Sequence, residues 1–149
     1  MSLVALLDRQ LVLMDELTIL LKRELDTLMT NPIDGAELAA LASAKQSTLT
    51  AIATLEDERR QSLAREGVED EPSGMAEAAR AAGCLPQWQA LLDLARSAHH
   101  LNLLNGSLIN QRMAHNRQVL AALQQLVGNP LYGVDGQTQR RGTGLTCKA

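Results

Sequence analysis

Apolar positions near the start of the chain recur in alternating steps of three and four. Val4, Leu7, Leu11, Met14, Thr18, Leu21, Leu25 and Leu28 form one series, with Thr18 its single polar member, and Leu3, Leu6, Leu13, Leu17 and Leu20 flank it. That spacing places the series on one face of a helix and makes the flanking leucines widen the stripe. The pattern predicts a helix over about residues 3–30, roughly 42 Å long at ~1.5 Å per residue. The segment "TNPIDG" ends it, because Pro32 disfavours helical geometry at Asn31 and Gly35 loosens the backbone.

A second helix is expected from Asp34, a good N-cap with Glu37 three residues on in the manner of a capping box. Its stripe runs Leu38, Leu41, Lys45, Thr48 or Leu49, Ile52, Leu55, Arg59 and Leu63. Lys45 and Arg59 fall on the seam, where long basic side chains can lay their stems along apolar surface while the charge stays in water; both are expected to border the core. "REGVEDEPSG" breaks the helix, with Gly67 suited to a C-cap and the acidic run Glu69, Asp70, Glu71 before Pro72 typical of a solvated loop. "MAEAARAAG" reads as a short helix, and Leu85 with Pro86 opens the last long one.

The last helix has the least uniform seam. The three-four stepping gives Leu91, Ala95, Ala98, Asn102, Asn105, Ile109, Arg112, Asn116, Val119, Leu123 and Leu126, with Leu94, Leu101, Leu104 and Leu108 in a parallel stripe. Its middle third is polar. Asparagines at seam positions cost stability unless paired, yet they can fix register and partner number. Asn102 and Asn105 therefore read as a structural polar seam, or as a weak point where the seam opens toward another helix. The stripe Val119, Leu123 and Leu126 reads either as core or as an exposed surface for a partner.

Composition fits an all-α protein. The chain has 149 residues, no Phe, one Trp and one Tyr, with apolar content dominated by Leu and Ala. The expected fold is an antiparallel bundle of three long helices with a short extra helix. It divides into a bundle domain over 1–128 and a flexible, glycine-rich and basic partner-binding tail, "NPLYGVDGQTQRRGTGLTCKA", over 129–149. Charge is polarised along the chain: residues 1–71 hold 14 acidic and 7 basic side chains, residues 72–149 hold 3 acidic and 7 basic. The two halves attract, which helps decide which faces meet, although each exposed pair contributes only about 0–1 kcal/mol.

Several function classes lose support. No run reaches the ~18 apolar residues of a membrane span, and "MSLVALLDRQ" lacks the features of a signal peptide, so a cytoplasmic protein without membrane insertion is expected. The net charge of −3 argues against nucleic acid as a partner. Cys84 and Cys147 lack redox or zinc spacing. His99 and His100 are adjacent and point about 100° apart on a helix, and His115 has no orienting acid. "RRGTG" has neither the preceding strand nor the following helix of a phosphate loop, and "NGS" at Asn105 matches a glycosylation sequon that a cytoplasmic chain would not use. No catalytic residue, metal or cofactor is expected, and the protein reads as a non-enzyme.

The order of two long helices, a short broken segment, a longer helix with "NLLNGSLINQR" and then "LYGVDGQTQR" resembles the FlgN family of flagellar export chaperones over nearly the whole chain. The resemblance is sharpest at Asn102, Asn105, Gly106, Leu108 and Ile109 and at Tyr132, Gly133, Asp135 and Gly136. It implies a cytoplasmic chaperone of type III flagellar secretion. Such a protein binds the hook-filament junction (hook-associated) proteins, prevents their premature assembly, and delivers them to the flagellar export gate and its ATPase complex. Carried over, substrate-protein binding falls on Val119, Leu123, Leu126 and Leu131. Export-gate docking falls on Tyr132, Gly133, Asp135 and Gly136. Two other classes stay open: a structural helical scaffold or oligomerising coiled coil, whose polar seam sets an oligomeric state the pattern does not specify, and an enzyme or ligand sensor with a pocket between helices.

Overall fold

The computed structural model describes residues 1–128 and divides the chain into two compact units, Met1–Leu108 and a second beginning at Ile109. Four helices follow one another: α1 (Leu3–Met29), α2 (Gly35–Arg65), α3 (Pro72–Ala81) and α4 (Leu85–Val127). Among the described residues there is no strand, as expected of the all-α class.

Each helix of the first unit starts and stops for identifiable local reasons. Ser2 caps α1 by accepting from the Ala5 amide at 3.2 Å, and Asp34 caps α2 by accepting from the Glu37 amide at 3.1 Å. The expected capping box is only half formed, because the Glu37 carboxylate turns to Arg23 of α1 instead, at 3.1 Å. Helix α2 ends in a Schellman motif: Gly67 sits at φ +74°, its amide reaches the Ala64 carbonyl, and the Val68 amide reaches that of Leu63. Helix α3 repeats the device, with Gly83 at φ +73°, its amide on the Arg80 carbonyl and the Cys84 amide on that of Ala79. The left-handed backbone at both positions is one that glycine adopts without steric cost. Helix α3 begins at Pro72, earlier than the "MAEAARAAG" reading, because the fixed φ of proline suits the first helical position and lets "PSG" join the helix.

Within the first unit, α1 and α2 run antiparallel: Leu7 packs with Leu63 near one end, and Arg23 pairs with Glu37 near the other. The portion of α4 up to Leu108 runs alongside α1 in the same direction and antiparallel to α2, since Leu91 clusters with Leu7, Ala98 with Leu17 and Leu21, and Arg59 with Trp88. This is an up-down-up bundle. Its main core joins Leu7, Leu63, Met75, Ala79, Cys84, Trp88 and Leu91, so α3 closes one end of the bundle by burying Met75 and Ala79. A smaller cluster of Leu17, Leu21 and Ala98 continues the α1–α4 contact.

Candidate functional site

The polar interruption in the α4 seam resolves into two unlike residues. Asn105 is buried, with 1% of its surface exposed, whereas Asn102 is exposed. The Asn105 side-chain amide donates to the Leu21 carbonyl at 2.9 Å and to Glu24 Oε2 at 2.7 Å. Glu24, itself buried in α1, also accepts from Lys45 Nζ of α2 through both oxygens, at 3.0 and 3.3 Å. One carboxylate thus ties α1, α2 and α4 together at a single level of the first unit. Burial of this kind is tolerated when the charge is both paired and hydrogen-bonded. Lys45, half-buried, conforms to the expected rim position.

Arg59 does not. It is buried, with 6% exposure, and its guanidinium carbon lies 5.0 Å from the centroid of the Trp88 ring. Stacking on the aromatic face replaces part of the lost hydration, which lets an arginine occupy a core position of α2 where the sequence pattern predicts a border. Desolvation lowers its pKa from the usual arginine range, opposed by the carboxylates of Glu56 and Asp70.

The second unit presents the other candidate surface. From Ile109 to Gly128 no residue is buried, and Met113, Val119, Leu120, Leu123, Leu126 and Val127 are all exposed, Leu123 at 51% and Leu126 at 83%. At ~100° per residue these side chains and Ile109 fall within an arc of roughly 140° on α4, with Arg112 and Asn116 inside it and Gln111, Gln118 and Gln125 opposite. The segment is a strongly amphipathic helix whose apolar face is uncovered in the free chain. The core reading of Val119, Leu123 and Leu126 is therefore corrected. The seam spacing picks out three of these residues; Met113, Leu120 and Val127, on a seven-residue step beside it, are not in that series.

Leu131, Tyr132, Gly133, Asp135 and Gly136 lie outside the described residues. Among those described, no group of three or more His, Cys, Asp or Glu could hold a metal ion, and no helix is long and apolar enough to cross a membrane. His99, His100 and His115 are exposed. Cys84 is a buried free thiol. The sequon asparagine is Asn105, whose amide is engaged inside the bundle.

The FlgN protein family matches residues 1–140 of the chain. The chain belongs to this family. It is 32% identical over 133 residues to the flagella synthesis protein FlgN of Yersinia enterocolitica (serotype O:8), covering 89% of this chain and 86% of that one. Against the flagella synthesis protein FlgN of Proteus mirabilis the identity is 33% over 135 residues, with 90% and 88% covered. Against that of Salmonella typhimurium it is 29% over 135 residues, with 89% and 87% covered. No solved structure matches the chain significantly. The family match covers residues of both units, including the uncovered face of α4 and the polar tie of the bundle.

Proposed function

We propose that this FlgN-family protein acts in flagellar biogenesis as a cytoplasmic, non-enzymatic export chaperone. In this reading it binds the terminal helices of hook-filament junction proteins, prevents their premature assembly and delivers them to the type III export gate and its ATPase complex. The observation that supports it is the exposed apolar face of α4 formed around Val119, Leu123 and Leu126. Burying a single Leu or Val side chain is worth about 1.5–3 kcal/mol, so such a face is a strong drive toward a partner. An amphipathic helix laid against another is a recurring recognition mode, and it competes directly with the coiled-coil packing through which exported subunits polymerise. In the same reading Leu131 also binds the substrate protein, and Tyr132, Gly133, Asp135 and Gly136 dock on the export gate.

Charge argues against the oligomerising alternative. Residues 109–128 carry Arg112 and Arg117 and no acid. Only Arg112 of the two lies within the apolar arc, and a parallel pair of copies would set it against its own counterpart in the seam, which disfavours that pairing.

The test is co-purification of the full chain, and of a form ending at Gly128, with C-terminal helical segments of the host's hook-filament junction proteins. Tail-dependent capture of a stoichiometric complex supports the reading. Failure of both forms to capture them while remaining helical removes it and leaves the scaffold role standing.

A further inference from the structure

Where α2, α3 and α4 meet in the first unit lies a cleft of about 590 Å³ that the proposed function does not use. Its floor is apolar, formed by Met75, Leu85, Trp88 and Leu92, and its walls carry the guanidinium groups of Arg59, Arg60, Arg80 and Arg96. Two acids, Asp70 and Glu71, also line it. Four cations and two anions line it, and Glu56 and Asp93, next to the lining, pair with Arg60 and Arg96, so the unanswered positive charge lies at Arg80 and Arg59.

The arginines differ in how well they are satisfied. Arg60 bonds to Asp70 at 3.1 Å and Glu56 at 2.8 Å, and Arg96 to Asp93 at 3.2 Å, all exposed pairs. Among the described residues Arg80 holds no ion pair. Arg59, the buried one, has no hydrogen-bond partner at Nε, and its nearest carboxylate, Glu56, is 3.8 Å away, too far for a hydrogen bond. A buried donor left unpaired is costly and is a standing attraction for an acceptor. The Asp70 carboxylate already on the rim shows which chemistry the walls accept.

We propose that this cleft is a docking site for an acidic peptide segment of a partner protein. An apolar side chain of the segment seats against Trp88, Met75 and Leu92, and flanking carboxylates engage Arg80 and Arg96. The apolar floor is what selects a peptide over a small inorganic anion, which would gain nothing from it. The site lies in the first unit and stands independently of the uncovered face of α4.

Trp88 is the only tryptophan of the chain, so its emission reports occupancy of the cleft directly. The full chain is titrated with a short acetylated and amidated peptide bearing a central leucine between glutamates, with the same peptide carrying glutamines, and with sodium phosphate. The expected result is a saturable change in Trp88 emission with the glutamate peptide, weakened about tenfold or more by the glutamine exchange and by Arg80→Gln with Arg96→Gln, and unaltered by Arg117→Gln. Arg80 and Arg96 are exposed, so that variant keeps the fold, and the peptide comparison on the unaltered chain decides even without it. The absence of a saturable change, equal binding of both peptides, undiminished binding by the double variant, or saturation by phosphate in the same concentration range each overturns the proposal, the last by making the cleft a small-anion site.

Discussion

Asn105 on α4 and Glu24 on α1, 81 residues apart in sequence, are joined by a 2.7 Å hydrogen bond buried inside the bundle. Because Glu24 also holds Lys45 of α2, the bond belongs to a network in which each member satisfies another. Networks of this kind couple their members. Asn105→Ala is expected to cost about 2–4 kcal/mol, since it removes the donor shared by the Leu21 carbonyl and Glu24 Oε2 and leaves that oxygen only the longer bond from Lys45. A double-mutant cycle of Asn105→Ala with Glu24→Gln in urea denaturation should return a coupling of about 1–3 kcal/mol. A coupling near zero would mean the helices are held by their apolar contacts alone.

Arg59 makes a contrasting case. Its burial lowers its pKa by desolvation. For a cationic group, a folded pKa below the unfolded one means that the folded state holds its proton less readily. The charge is then a penalty at every pH below the folded value, and stability rises only in the alkaline range between the two values. No dependence on pH from this group is expected near neutrality. Arg59→Met, which keeps the stem against Trp88 and removes the charge, should change stability by less than about 1.5 kcal/mol in either direction. Arg59→Ala, which opens a space beneath the ring, should cost about 2–4 kcal/mol. Thermal denaturation followed by circular dichroism separates the two, and equal losses would show that the charge itself is needed.

The α2 cap offers a smaller effect with a built-in control. Asp34→Ala should cost about 1 kcal/mol, because the Glu37 amide loses its acceptor. Glu37→Ala removes only the exposed ion pair to Arg23 and should cost less than about 0.5 kcal/mol. Reversed magnitudes in the same denaturation measurement would show that the interhelical pair, not the cap, fixes the start of α2.

The buried face of α1 and α2 is legible in the stepping, since Leu7, Leu21, Leu28, Leu41, Leu55 and Leu63 are buried, while Val4, Leu11, Met14, Leu25, Leu38 and Ile52 of the same stripes are half-buried at its borders. Leucine burial follows helical period, and period is a local property. Local spacing does not show the burial of Glu24 and Arg59, because each goes inside only where a specific partner from another helix meets it; Gln10 is buried as well, with its Oε1 unpartnered. Glu24 needs Lys45 and Asn105, and Arg59 needs Trp88; neither pairing leaves a trace in local spacing. For the same reason the stepping through Asn102 and Asn105 could not tell the exposed asparagine from the buried one. The seam residues Val119, Leu123 and Leu126 were found as a stripe, but a stripe specifies a face and not what covers it.

That distinction yields the sharpest contrast between the two units. Leu123→Asp with Leu126→Asp alters two exposed positions, so the only folded-state cost is the lower helix propensity of aspartate, within about 1 kcal/mol in total. Leu21→Asp places a second carboxylate in the apolar cluster with Leu17 and Ala98, one helical turn from the buried Glu24, and should unfold the first unit. Under the proposed function the double variant nonetheless loses capture of junction-protein helices, because truncating central apolar anchors of an interface costs several kcal/mol. Helicity by circular dichroism and capture by co-purification, read on the same samples, give the test. Retained helicity with lost capture assigns the stripe to a partner, while retained helicity with undiminished capture would move the binding surface away from α4.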